Sequence, residues 1–280
     1  MNKTLVTGST GKVGSVVMDV LARDGVPVIA ATRSPQNVAV RSCVEVARFD
    51  YADSATYQTV LTDVDRVFLM EPQPAAGPAH MIMIPFAERA IAHGCKIVLL
   101  SSASVAFQPE PLGRVEETVL EARDCVILRA NWFMDNFHTW WAEEIKYAHK
   151  LSLPAGHAAT PFIDARDVGA AVAAALQRDE ANGKTLVLTG SQALTHVEAA
   201  AVLGEAASLT IQYQDVPEQA FAETLSQAGL PSEYVRYIVS LFRLTRQGVF
   251  ERPTNDLEWL IGRRARTLKE YATDYREAWQ

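Results

Sequence analysis

The residues Thr4-Leu5-Val6-Thr7-Gly8-Ser9-Thr10-Gly11-Lys12-Val13-Gly14 carry the pattern on which the fold turns. Thr4-Leu5-Val6 is a short apolar run of the kind that forms a buried parallel strand. Behind the glycines, Val13, Val16, Val17, Val20 and Leu21 recur at helical spacing. A strand that turns through glycines into a helix leaves backbone N–H groups and the positive end of a helix dipole facing outward, which suits a pyrophosphate. Gly8 permits the tight turn, Gly11 a close backbone approach, and Gly14 close packing of helix on strand. The spacing is G-x-x-G-x-x-G, so an ordinary glycine turn is the alternative. Its place between a strand and a helix favours a dinucleotide site, with Thr10, Lys12 and Val13 among the residues that line it.

Further strands are expected at 27–31, 43–49, 64–70, 96–100 and 125–128. Between them lie helical segments from Ser54, over 80–93 with Gly94 as the stop, and over 114–122. Alternating strands and helices predict an α/β fold with a doubly wound parallel sheet and ligands at the carboxyl edge of the strands. The loops at Gly8, Arg33, Asp50, Met70 and Ser101 then converge on one cleft. The loop after the fourth strand is Glu71-Pro72-Gln73-Pro74.

Past residue 131 the pattern loosens. A helix over 170–176, capped by Asp164 or Asp167, is followed by strand-like 185–188 and 209–213 around a helix from Thr195. Helical stretches over 218–228, 233–244 and 268–279 complete the chain. The expected division is a dinucleotide-binding core over 1–130 and a smaller mixed lobe over 131–280. That lobe would mainly bind substrate and close over the cleft, with some segments returning to the core.

The 280 residues are 49% hydrophobic and 21% charged, as in a globular enzyme, and the net charge of −7 gives no general attraction to nucleic acid. Cys43, Cys95 and Cys125 lie in or beside strand-like runs without framework spacing, which predicts reduced, buried thiols in a cytoplasmic protein. No Cys/His spacing indicates a metal site. No signal peptide or membrane-spanning run is expected.

The end of the second strand bears on the nucleotide. Folds that prefer NAD place a carboxylate there for the ribose 2′-hydroxyl. Here Arg33 takes that place and Ser34 follows, a pairing suited to a 2′-phosphate and hence to NADP(H). Asp50 either sits with Tyr51 beside the adenine or caps the next helix. Met70, Pro72 and Ser101 would lie near the nicotinamide. None of the eight tyrosines has a lysine four residues on, so the usual Tyr-x-x-x-Lys proton-transfer pair is missing and no catalytic acid is assigned. Glu117, on the helix after the fifth strand, reads as a surface residue. The aromatic stretch 129–141 places Phe133, Phe137 and Trp141 on one helical face and Trp132, Asn136 and Trp140 on the next. With Asn131, it either walls a pocket for a flat, apolar small molecule or packs a core. His138 reads as a packed or exposed side chain.

These motifs together resemble the NmrA-like branch of the atypical short-chain dehydrogenase/reductases. The matching segments are 6–14, Thr32-Arg33-Ser34, Phe49-Asp50-Tyr51, 98–102, 128–136 and 162–168, in the family's order over nearly the whole chain. Ala130 departs from it, since relatives often carry proline there. The resemblance implies a Rossmann domain with a small C-terminal lobe and NADP(H) across the glycine loop. It implies a reductase that passes hydride to a conjugated electrophile such as a quinone, an iminium or an activated alkene. The alternative within the family is a non-enzymatic NADP(H) sensor that binds a partner protein.

Overall fold

The computed structural model describes residues 3–39, 41–72 and 78–280. Gln73 and Pro74 of the proline-rich loop lie outside the described residues. In chain order the first elements are β1 (Lys3–Val6), α1 (Lys12–Arg23), β2 (Val28–Thr32), β3 (Val44–Arg48), α2 (Tyr57–Val60) and β4 (Val64–Met70). Next come α3 (Ala79–Ala92), β5 (Lys96–Ser102), α4 (Pro111–Val119), β6 (Cys125–Ala130), α5 (Asn136–Thr139), β7 (Lys150–Leu153) and β8 (Ala159–Thr160). Then follow α6 (Ala165–Gln177), β9 (Lys184–Leu188), β10 (Leu194–Thr195), α7 (His196–Ala207) and β11 (Gln212–Asp215). The chain finishes with α8 (Glu218–Gln227), α9 (Ser232–Arg246), α10 (Asp256–Ile261) and α11 (Leu268–Asp274).

Two compact units form. The first comprises Met1–Ala130, Ala165–Leu188 and Asp256–Arg263. Its sheet has seven described strands in the order β3-β2-β1-β4-β5-β6-β9, every neighbouring pair parallel. The order reverses at β1 and β4, so loops on either side of that point splay apart and leave a crevice at the carboxyl edge. β2 is buried along its whole length and β5 along all but its last residue, as expected for strands covered on both faces. One face of the sheet buries Leu5, Val67, Leu69, Ile97, Leu99 and Ile127 beneath α3 and α4. On α6, a Cβ at Gly169 would lie 2.6 Å from the Val16 Cβ, so this glycine sets the close approach of α6 to α1.

α6 and β9 follow residue 131 in sequence, yet belong to this unit, where β9 pairs with β6. They are segments of the kind expected to return to the core from beyond residue 131. Asp167 lies in the first turn of α6, buried, with Arg263 Nη2 at 2.6 Å.

The second unit comprises Asn131–Asp164, Thr189–Asn255 and Arg264–Gln280. It contains a parallel pair, β11 with β7, and an antiparallel pair, β10 with β8. Its core gathers Phe137, Phe162, Phe242, Tyr271 and Trp279. α7 and α11 both open with a capping box, Thr195 with Glu198 and Thr267 with Glu270, in which side chain and backbone donors satisfy each other. Among the described residues no helix is long and apolar enough to cross a membrane.

Candidate cofactor site

Gly8 adopts a φ of +60°, the left-handed region that the turn after β1 requires. A Cβ on Gly8 would meet Met70 Sδ at 2.3 Å, because the end of β4 covers the turn. The Gly11 N–H donates to Gly8 O at 2.9 Å and closes the turn. A Cβ on Gly14 would lie 2.2 Å from that same Gly8 oxygen, so α1 docks on the turn through bare backbone. Gly11 is the N-cap of α1, with no side-chain cap and no acid in the first turn. The N–H groups of Lys12, Val13 and Gly14 therefore lack intrahelical acceptors and stand at the positive end of the helix. A glycine cradle with uncapped donors fits the pyrophosphate of a dinucleotide.

The turn is braced from beneath. Thr7 Oγ1 donates to Phe68 O at 2.9 Å and accepts from Met70 N–H at 3.2 Å. The Tyr51 hydroxyl lies 3.1 Å from Thr7 Oγ1 and 3.2 Å from Met70 O. Burial pushes the Tyr51 phenol well above its ordinary range, so it remains a donor. Ser9 Oγ donates to Ala31 O at 3.1 Å and ties the turn to β2. These contacts pin the ends of β1, β2 and β4 and the loop after β3 to one another.

Beside the turn opens a cleft continuous with solvent. Gly8, Thr10, Gly11, Arg33, Asp50, Tyr51, Met70 and Pro72 all line it. Arg33 is exposed and makes no hydrogen bond or ion pair among the described residues. A guanidinium at the lip of a cleft with no protein partner is suited to a phosphate. Ser34 is half-buried, its N–H bonded to Thr32 Oγ1 at 3.1 Å. Asp50 accepts from Ala52 N–H at 3.0 Å, whereas Asp53 caps the following helical turn through Ala55 N–H, so the capping role falls to Asp53. Lys12 is exposed at the start of α1, and Val13 is buried behind it.

Glu71, which sequence reasoning passed over, also lines the cleft. Glu71 as a whole is exposed, yet partial burial of its carboxyl and, second, the charge of Glu110 push it up to about 7.

Ser101 lies apart from the residues lining this cleft. It is buried, and its Oγ donates to Glu116 Oε1 at 2.5 Å. Glu116 also receives Arg129 Nε at 3.1 Å and Nη2 at 2.6 Å. Glu117 is exposed as expected, and the buried carboxylate is its neighbour, Glu116. Helical periodicity holds the signal for this difference, because Leu112, Val115, Glu116 and Val119 share one face.

The aromatic residues of the second unit divide between core and part-exposed positions. Helix α5 covers only Asn136–Thr139, so the continuous helical face expected over 133–141 does not form. Phe137 is fully buried, 5.1 Å from Phe162 and 5.2 Å from Trp141, ring centre to ring centre. It is a core residue, which corrects its assignment to a pocket wall. Asn131 is also buried, its Nδ2 donating to Phe250 O and its Oδ1 accepting from Trp132 N–H, a structural role. Trp132 is half-buried, with Nε1 donating to Thr245 Oγ1 at 2.9 Å and its ring 4.8 Å from Phe242. Phe133 is half-buried and bridges to Ile163; Asn136 is half-buried at the start of α5. His138 stacks on Tyr275 at 4.4 Å and touches the Tyr271 hydroxyl, a packed residue.

The sequence model of the NmrA-like family matches residues 114–278, and a model described as NAD(P)H-binding matches residues 8–131. An uncharacterized oxidoreductase, YesF, of Bacillus subtilis is 28% identical over 99% of this chain and 96% of its own. Agroclavine dehydrogenase of Claviceps fusiformis is 26% identical over 98% of each chain. Among solved structures, the NADPH-dependent quinone oxidoreductase QOR2 of Escherichia coli, crystallised with NADPH, superposes with a TM-score of 0.84. It is 23% identical over 97% of this chain and 99% of its own, a likeness of fold. With a parallel sheet that reverses at β1 and β4 and an uncapped glycine turn beside it, the chain belongs to the NmrA-like family and is an NAD(P)H-dependent oxidoreductase.

Proposed function

We propose that this protein is an NADPH-dependent reductase of conjugated electrophiles such as quinones, iminium ions or activated alkenes. The observation that carries the cofactor preference is Arg33 at the lip of the cleft, without a partner among the described residues, where an NAD-preferring fold presents a carboxylate. The N–H groups of Lys12, Val13 and Gly14 would hold the pyrophosphate. Arg33 and Ser34 would hold the 2′-phosphate, and Asp50 and Tyr51 would flank the adenine. Met70 and Pro72 would carry the nucleotide toward the carboxyl ends of β4 and β5. Bound there, NADPH supplies a hydride.

The chemistry proposed for the acceptor rests on what the chain lacks. No tyrosine is followed by lysine four residues on, so the chain has no paired donor of the kind that protonates an alkoxide. An acceptor that becomes a stabilised anion or a neutral amine needs none, since water can protonate it afterwards. The chain's contribution is then to orient the two reactants and to keep water from the reduced ring. The names of two similar proteins, a quinone oxidoreductase and an agroclavine dehydrogenase, support an acceptor of this kind. A cytoplasmic setting suits the free thiols Cys95 and Cys125, buried as expected, and Cys43, which is exposed just ahead of β3 and corrects the expectation of burial there.

Purified protein mixed with NADPH and a panel of quinones, iminium ions and enones tests the reading. Consumption of NADPH that depends on both protein and acceptor is expected. Tight NADPH binding without turnover of any acceptor would replace the reductase with the sensor.

A further inference from the structure

At the carboxyl end of the sheet, Ser101 on β5 and Arg129 on β6 are direct partners across the strands, and Glu116 of α4 lies over both. Glu116 is about 4% exposed, and its carboxylate takes three hydrogen bonds: one from Ser101 and two from Arg129. A buried ion pair is poor evidence of added stability, because desolvation offsets much of the attraction. Its geometric effect is larger, since the two-pronged contact fixes the plane of the guanidinium. Only Nε and Nη2 are used, and Nη1 has no partner among the described residues. The Arg129 side chain retains 22% exposure, against 5% for that of Glu116. The hydrogen bonds it donates to Glu116 also hold Arg129 above its ordinary pKa, so it stays charged. The result is a fixed cation with spare N–H donors at the end of β6, on the edge where a doubly wound sheet binds its ligands.

Resting on the proposed reductase, we propose that Arg129, locked by Glu116, stabilises the negative charge that hydride transfer places on a carbonyl oxygen of the acceptor. As hydride adds to the β-carbon of a quinone or enone, a C–H bond forms there and the conjugated π electrons shift onto the carbonyl oxygen. The oxidised nicotinamide keeps the balancing positive charge, and the oxyanion then takes a proton from water. A preorganised donor aimed at developing charge is the form of stabilisation that matters most at such a step. It also answers the missing tyrosine–lysine pair, because an anion held by a guanidinium can wait for its proton. Glu116 and Ser101 are positioning residues in this scheme.

The test compares acceptors of different charge. Arg129→Lys and Arg129→Met are assayed with a neutral quinone and with a cationic iminium or dye acceptor, alongside NADPH calorimetry and thermal melts. With the quinone, kcat should fall roughly 10²-fold, as for loss of an oxyanion-hole donor. The cationic acceptor carries no developing anion and should be spared or accelerated, while NADPH affinity stays within a few-fold. Glu116→Gln, which keeps the shape but loosens the lock, should shift the quinone-to-cation ratio in the same direction by less. An equal loss on both acceptors, or unchanged quinone kcat in the folded variants, would overturn the proposal. Wild-type protein that binds NADPH yet reduces only cationic acceptors overturns it too, without touching the cofactor site. Failure of the wild type to bind NADPH would instead remove the reading on which it rests.

Discussion

Replacing Gly14 with alanine puts a methyl group 2.2 Å from Gly8 O, 2.7 Å from Gly8 C and 3.0 Å from the Ser9 Cα. All three atoms are backbone, so no side chain can swing aside. Ordinary contact begins near 3.4 Å, and α1 must therefore retreat from the turn by about 1 Å. Overpacking of this kind costs about 1–3 kcal/mol of stability. The effect on binding should be sharper, because the retreat carries the N–H groups of Lys12, Val13 and Ala-substituted 14 away from Gly8 and Gly11. Loss of two charge-assisted hydrogen bonds at about 1.5 kcal/mol each corresponds to a rise in Kd on the order of 100-fold for NADPH. NADH should suffer equally, since both nucleotides share the pyrophosphate. Isothermal calorimetry reads the affinity and a thermal melt the stability. Gly25→Ala is the control: its added Cβ meets nothing within 4 Å, though its φ of +72° makes alanine strained there. It should lower the melting temperature and leave the affinity alone. A Gly14→Ala protein that folds and binds NADPH like the parent would refute the role given to this turn.

Other perturbations separate the remaining parts. Arg33→Ala should weaken NADPH by about 1–3 kcal/mol and spare NADH, as calorimetry with both nucleotides would show; equal losses reject the 2′-phosphate assignment. Glu71, with its carboxyl near 7 against an ordinary 4.5, is favoured in its neutral form, so its contribution to folding is full below 4.5 and lost as pH rises through 7. The anionic nucleotide prefers the same neutral form. NADPH affinity should fall as pH rises through 7, and Glu71→Gln should flatten that profile; an unchanged profile in the variant excludes Glu71 as its source. His196 is buried, with its pKa pushed down to about 4, so the fold favours the neutral ring. Stability from this group is complete above 6.5 and lost as pH falls from there to 4, up to about 3 kcal/mol. Urea titrations across that range should show the loss, and His196→Phe should shrink it; an equal acid slope in the variant would place its origin elsewhere.

The strand, glycine turn and helix at the amino terminus are legible because their chemistry is local. A left-handed φ at Gly8 and bare backbone at Gly14 follow from neighbours a few residues apart. Arg33 could be placed for a similar reason, being the first residue after a fully buried strand. Glu116 was passed over while Glu117 was read, as it proves, as a surface residue, although the spacing of Leu112, Val115 and Val119 sets Glu116 on the buried face of α4. Asp50 and Asp53 both precede a helical turn, and hydrogen-bond geometry alone distinguishes them. The aromatic stretch misled through its assumed helix: Asn136–Thr139 is too short to carry one face from Phe133 to Trp141. An aromatic side chain also serves a core and a pocket wall by the same burial, so Phe137 carried no mark of which it would join. A return of later segments to the core was legible, but which ones return, α6 and β9, depends on crossovers that no local pattern records.

Crystals grown with NADPH offer the most direct measurement. Density for the pyrophosphate at the Lys12–Val13–Gly14 N–H groups, with the 2′-phosphate against Arg33, is the predicted result. Nucleotide bound away from the Gly8–Gly14 turn, or none bound at saturating NADPH, would contradict it.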